Sequence, residues 1–210
     1  MCNDNKSIRR YDSTLGQYTL EWTTPNENGV IEIPSDVDAL SNFYGCYCLS
    51  SKIKSIIFDE GFKNLNGEYA WISVNNSITE IDLPSTLKSI YVSETTGSNF
   101  FENLRNIIKL TIGGKDSNDN FYIKNNCLVQ KSGYNDSSDK YIFGFGNERI
   151  ELPETVTTLG KGIFRYQSIN YLILHKDLKS YVPYDGTSNT FWNTFSIMFD
   201  IKSIYYKVTK

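Results

Sequence analysis

A single histidine, His175, occurs in the 210 residues, so any Ser/His or Cys/His catalytic pair would have to be built on it. It follows the apolar run Tyr171-Leu172-Ile173-Leu174, where a turn toward solvent is expected. It therefore reads as a solvated turn histidine, and no catalytic residue is assigned. Cysteine is also scarce, with Cys2, Cys46, Cys48 and Cys127. Cys46 and Cys48 form a C-x-C pair, but zinc would need two further ligands, and only the remote His175 and Cys127 remain. The cysteines read instead as small buried hydrophobes, and neither a metal nor a cofactor is expected.

There is no basic surplus. Lys and Arg number 21 against 24 Asp and Glu, a formal charge of −3, so nothing is available to neutralise a row of phosphates, and nucleic acid is excluded as a partner. Long apolar runs are missing, which excludes a membrane-spanning helix. Residues 1–6 show no apolar signal-peptide segment. With Met1 as the start, the ordinary export route would be closed. Were Met1 to stand in for a removed signal, Cys2 would occupy the lipid-bearing position of a bacterial lipoprotein.

Other short motifs fail on chemistry. Asp116-Ser117-Asn118-Asp119-Asn120 begins like a calcium loop, but Phe121 stands at the turn glycine and Cys127 at the bidentate glutamate, which leaves a polar loop. Gly144-Phe145-Gly146 lacks the helix and lysine of a phosphate cradle. Asn5, Asn75 and Asn135 begin N-x-S sequons, which matter only in a eukaryotic secretory pathway.

What the chain does contain is a repeat. Hydrophobic residues make up 40% and charged residues 21%, the balance of a folded chain, and aromatics are abundant at 14%. The segments Ile31-Glu32-Ile33-Pro34, Ile81-Asp82-Leu83-Pro84 and Ile150-Glu151-Leu152-Pro153 share one frame. With the proline at position zero, apolar residues recur at −6, −3, −1, +3 and +6. The frame continues where proline is lost, with zero positions at 34, 59, 84, 113, 153, 175 and 207. Of the 34 slots inside the chain, 29 are apolar, where the overall 40% frequency would give roughly 14. A change from period two to period three describes a strand with one inward face, followed by a turn and a tight helix-like or irregular connection. One such unit cannot bury its own apolar face, whereas stacked units bury a continuous core. The expected fold is mostly β: a leucine-rich-repeat solenoid with a parallel sheet, in which Ile31, Ile56, Ile81, Leu110, Ile150, Leu172 and Ile204 stack as one buried ladder. Most spacings fall between 22 and 32 residues, but one is 40.

The pattern resembles the BspA-like leucine-rich-repeat family, whose units read aromatic-x-x-Cys-x-x-Leu-x-x-Ile-x-Ile-Pro and then Val-Thr-x-Ile-Gly. The best match runs from Ile150-Glu151-Leu152-Pro153 through Val156-Thr157-Thr158-Leu159-Gly160 to Phe164. The family cysteine is mostly replaced, by Asn75, Leu104, Tyr166 and Met198. The 40-residue spacing also resembles the family, with 121–129 and 140–144 looking like paired inserted strands. The resemblance covers residues 29–210 as about seven degenerate repeats, with a hairpin insertion near 114–146. It implies a surface or secreted binding and adhesion module without common catalytic residues. Residues 1–28 fall outside the frame. Tyr18, Leu20 and Trp22 alternate there like a strand that could cap the N-terminal end.

In a solenoid, strand residues pointing away from the core form a continuous surface. These are the −4 and −2 slots. Their middle is charged, while the C-terminal part gathers Tyr171, Ile173 and Tyr205 with Arg149 one strand away. Tyr and Arg dominate interface energies, so these four are the candidate binding residues for a protein or glycan partner, unless a neighbouring segment covers them. The alternative is an assembly protein that self-associates through an open end near Ile204. Lys202, Lys207 and Lys210 would oppose symmetric pairing there, so a monomer is expected.

Overall fold

The computed structural model describes residues 8–13, 17–22, 25–36, 53–65, 77–93, 99–101, 104–133, 138–146, 149–160, 163–164, 167, 169–181 and 202–207. Expectations for Cys2, Cys46, Cys48, Val37, Leu40 and the three sequon asparagines lie outside them. The first two strands, β1 (Ile8–Asp12) and β2 (Gln17–Trp22), form an antiparallel pair.

Four repeat strands follow in one parallel sheet: β3 (Val30–Ile33), β4 (Ser55–Phe58), β6 (Glu80–Leu83) and β8 (Lys109–Ile112), in the order β3-β4-β6-β8. The register is that of the sequence frame, with Ile31 opposite Ile56, Ile56 opposite Ile81 and Ile81 opposite Leu110. Three more strands, β12 (Arg149–Glu151), β14 (Tyr171–His175) and β16 (Ser203–Lys207), form a second parallel sheet with Ile150, Leu172 and Ile204 in line. The single ladder expected from sequence is thus two ladders, of four and three strands. Between them lies an antiparallel sheet, so the repeat is interrupted where its spacing stretches to 40 residues.

The alternation decides burial. In the first six units the −3 and −1 side chains are 0–8% exposed. Ile204 departs from the expectation at 47%. Its strand pairs with β14 alone among the described residues, so Leu172 flanks Ile204 on one side only. Ile31, Leu110 and Ile150 also lie on end strands of their sheets yet are buried, so the inward direction buries a side chain only where other segments pack over it.

The return segments, read from sequence as helix-like or irregular, are extended where they are regular. Residues β5 (Asn64–Leu65) and β7 (Ser89–Ile90) pair in parallel, as do β13 (Thr158–Leu159) and β15 (Ser180–Tyr181). These are the +6 slots, so the second side of the solenoid has short parallel ladders of its own. No helix occurs among the described residues. Corresponding residues of successive turns also stack outside the strands. The Asp59 amide donates to the Ile33 carbonyl at 2.8 Å and Lys88 to Lys63 at 2.7 Å. Glu60 accepts from both the amide and the hydroxyl of Ser85, at 2.8 and 2.7 Å. These contacts satisfy backbone groups that a loop would otherwise leave unpaired.

The intervening sheet contains β9 (Phe121–Lys124), β10 (Cys127–Gln130) and β11 (Lys140–Gly144), ordered β11-β10-β9. The run 121–129 is therefore two strands rather than one. Asn125 and Asn126 divide it with φ of 53° and 61°. Two consecutive left-handed residues give the turn that matches the twist of an antiparallel pair, and asparagine tolerates that conformation better than most residues. The buried faces of this sheet join those of the repeat strands in one core cluster, through Phe121, Leu128, Val129, Ile142 and Phe143.

Leu152, buried at a −1 slot, provides a direct test of the alternation. Leu152→Ala should destabilise by about 2–5 kcal/mol, because it removes buried methyl groups and leaves a cavity. Its neighbour Glu151 points outward, and Glu151→Ala should cost far less. Equal losses in urea melts would contradict the assignment of faces.

Candidate functional site

The second parallel sheet aligns its outward residues in rows. Arg149 stands opposite Tyr171 and Tyr171 opposite Ser203; two residues on, Glu151, Ile173 and Tyr205 form the next row. Adjacent strands lie roughly 4.8 Å apart, which puts Tyr171 and Tyr205 in diagonal reach. Their rings are 6.3 Å apart between centroids and inclined by 30°. Both tyrosines are substantially exposed. The four residues singled out from sequence, Arg149, Tyr171, Ile173 and Tyr205, line one open concavity of about 680 Å³ together with Asn170 and Lys202.

Sequence reasoning missed Asn170 and Lys202. Both occupy position −5, where strand alternation would aim a side chain inward. The chain has not yet entered the strand there, and the Lys202 amide donates to the Asn170 carbonyl at 2.8 Å. That contact sets the two residues side by side on the rim. The Lys202 ammonium lies 5.9 Å from the centre of the Tyr171 ring. An ammonium over a tyrosine face is attracted by the negative π surface.

Charge beside the concavity is organised by Glu151. Its carboxylate accepts from Lys207 at 2.8 Å and from Arg149 at 3.3 Å. The Lys207 ammonium, assisted by Arg149, holds the Glu151 carboxyl below its ordinary value. Glu151 is therefore ionised at neutral pH and fixes the orientation of both cations. Arg149 has only one nitrogen on Glu151, and a guanidinium carries five N–H donors, so donors remain for a ligand.

His175 corrects the sequence expectation. It is 4% exposed rather than solvated. Its Nε2 lies 3.0 Å from the Val156 carbonyl, and its Nδ1 accepts the Asp177 amide at 3.1 Å. An acceptor at Nδ1 places the proton on Nε2, which then donates to Val156. The imidazole ties the end of β14 to the preceding turn of the solenoid, with both nitrogens engaged. Cys127 is fully buried, and burial pushes its thiol well above its ordinary value. Among the described residues no group of three or more His, Cys, Asp or Glu side chains could hold a metal ion. The 116–120 loop is tied to the array by Asn118, whose Nδ2 donates to the Ser85 and Leu87 carbonyls at 3.0 Å each, while its Oδ1 accepts the Phe121 amide at 2.7 Å.

The fold and its outward face define the class: a leucine-rich-repeat-like parallel β-solenoid carrying an open aromatic and cationic concavity. Among solved structures, the chain is similar to a leucine-rich repeat protein from Eubacterium ventriosum, at 14% identity and a TM-score of 0.41, over 96% of this chain and 73% of the other. It is also similar to a leucine rich cell surface protein from Faecalibacterium prausnitzii, at 10% identity and a TM-score of 0.30, over 85% of this chain and 73% of the other. No protein-family model matches the chain, and no curated protein matches it.

Proposed function

We propose that the chain is a non-catalytic binding module, secreted or displayed at a cell surface, that engages a protein or glycan through the outward face of its second parallel sheet. The gathering of Tyr171, Tyr205, Arg149 and Lys202 around one concavity supports this reading. Binding energy concentrates on large, rigid side chains held by a scaffold, and tyrosines on a parallel sheet lose little freedom when a ligand arrives. Surface display follows the sequence resemblance described above.

The test is the double replacement of Tyr171 and Tyr205 by Ser, screened against arrays of glycans, mucins and matrix proteins. Binding found for the wild type should fall by at least about tenfold, the scale of an interface hot spot. Both rings are exposed, so the melting curve should stay nearly unchanged. Undiminished binding by the double variant would move the site off this face.

A second reading has its own observation. Ile204 and Tyr206 occupy inward slots of β16 but are 47% and 54% exposed, which offers apolar area to another chain. Lys202 and Lys207 flank them and oppose a symmetric pairing. We favour a monomer. Light scattering from low to high micromolar concentration tests it, and a stable dimer would favour assembly.

A further inference from the structure

We propose that the concavity on the second sheet takes an acidic saccharide, one whose rings carry carboxylate or sulfate groups; this rests on the reading of that face as the binding site. Three observations combine. The first is the aromatic surface. The Tyr171 and Tyr205 rings lie 6.3 Å apart between centroids and are inclined by 30°, so two neighbouring aromatic surfaces share one open face. A pyranose ring presents a flat face of C–H groups that suits such a surface. Lys202, 5.9 Å from the centre of the Tyr171 ring, places a cation beside this surface and disfavours a cationic ligand there.

The second observation is charge. Arg149, Lys202 and Lys207 supply three positive groups on this face, and Glu151 supplies one negative group, paired with Arg149 and Lys207. The local balance is positive, although the chain as a whole is at −3. Among the described residues Lys202 has no carboxylate partner, so its charge is available. An anionic group on the ligand would be met by Lys202 and by the donors that Arg149 has left over.

The third observation is shape. The concavity is open and about 680 Å³, lined by polar Asn170 as well as by Ile173. It has hydroxyl and amide groups at the rim, suited to the many hydroxyls of a sugar. Stacking surface, surplus cations and a hydrogen-bonding rim converge on a charged sugar more closely than on an acidic peptide.

The experiment titrates the folded full chain, by calorimetry, with four probes: a chondroitin sulfate hexasaccharide, a hyaluronan hexasaccharide, a neutral chitin hexasaccharide and hexaglutamate. The first two separate sulfate from carboxylate as the recognised anion. At least one should bind, and both the neutral sugar and the peptide should bind at least about tenfold more weakly. Replacing Tyr171 and Tyr205 by Ser should reduce acidic-sugar binding at least about tenfold. Lys202→Gln should weaken it about threefold, and Glu151→Gln should tighten it about threefold, the worth of one charge several ångströms away in water. Lys109→Gln, a charge change of equal size on the first sheet, should leave binding unchanged.

Equal weakening by Lys109→Gln and Lys202→Gln, with the tyrosine variant binding normally, would reduce the effect to adsorption of a polyanion and overturn the proposal. Tyrosine-dependent binding of the neutral sugar or of hexaglutamate, in preference to the acidic sugars, would also overturn it while leaving the face as the binding site. A partner from the wider array that binds independently of Tyr171 and Tyr205 would instead remove the face itself.

Discussion

Phe101→Ala should lower the stability of the fold by about 3–5 kcal/mol, the range for deleting a large aromatic side chain from a packed core. Phe101 is fully buried and stands in a chain of rings. Phe62 meets Phe58 at 5.1 Å, Phe58 meets Phe100 at 5.8 Å, Phe100 meets Phe101 at 5.2 Å and Phe101 stacks on Phe143 at 4.9 Å. The chain begins in the turns of the first parallel sheet and ends on β11 of the antiparallel insertion. Phe100 meets the first sheet at Phe58 and Phe101 meets the insertion at Phe143, so the adjacent pair bridges the two. Asn99 fixes Phe101, because its Oδ1 accepts the Phe101 amide at 2.8 Å while its Nδ2 lies 3.4 Å from the Ile142 carbonyl of the insertion. Removing the ring opens a cavity at the junction that neither sheet can fill without giving up its own register. The comparison is Ile108→Ala, a substitution at an exposed apolar position, which should change stability by no more than about 0.5 kcal/mol. Urea denaturation of both variants tests the difference. A loss below about 1 kcal/mol for Phe101→Ala would mean that the insertion packs loosely on the array.

The repeat strands were legible because their signal is purely local. A four-residue strand such as β6 shows two inward and two outward side chains, and the alternation in Glu80-Ile81-Asp82-Leu83 can be read without knowing its neighbours. The second-side ladders were hidden because each strand has two residues, too few for a period to show. Leu65 and Ile90 were recognised as buried slots but not as a sheet. Dividing 121–129 required weighing Asn125-Asn126 as a turn against the strand-forming residues around it, and those residues dominated. His175 was misread because its hydrogen-bond partner, the Val156 carbonyl, lies nineteen positions earlier, and only the stacking of turns brings the two together. The outward rows of Arg149, Tyr171, Ile173 and Tyr205 could be named because in-register stacking turns equal slot numbers into neighbours. Asn170 and Lys202 escaped because the alternation rule fails just before a strand begins. Ile204 shows the complementary limit: alternation gives direction, but burial depends on what packs over the inward face.

Gln167→Leu should destabilise by at least about 3 kcal/mol, and Tyr141→Phe should recover part of that loss. Gln167 is buried and uses both ends of its amide. Its Oε1 accepts the Tyr141 hydroxyl at 2.7 Å and the Gly144 amide at 3.1 Å, while its Nε2 donates to the Ile163 carbonyl at 2.7 Å. Tyr141 and Gly144 lie on β11, and Ile163 lies in the turn after β13, so one side chain joins the insertion to the second half of the solenoid. No other residue can step in easily. A Cβ at Gly144 would lie 2.5 Å from the Tyr141 hydroxyl and 3.0 Å from Ile150, so the backbone is already packed against its partners. Burial pushes the Tyr141 hydroxyl well above its ordinary value, which keeps it protonated and in need of an acceptor. Leucine has nearly the volume of glutamine but neither donor nor acceptor. It would orphan a hydroxyl, an N–H and a carbonyl, each costing about 1–3 kcal/mol when left unpaired in the interior. Tyr141→Phe alone should cost only about 1 kcal/mol, because Gln167 keeps the Gly144 amide and the Ile163 carbonyl. In the Gln167→Leu background the same change removes an orphaned hydroxyl, and should cost nothing or add stability. The two substitutions should therefore couple by about 1–2 kcal/mol in a double-mutant cycle measured by urea denaturation. Strictly additive losses would show that the hydroxyl finds another partner when Gln167 is gone.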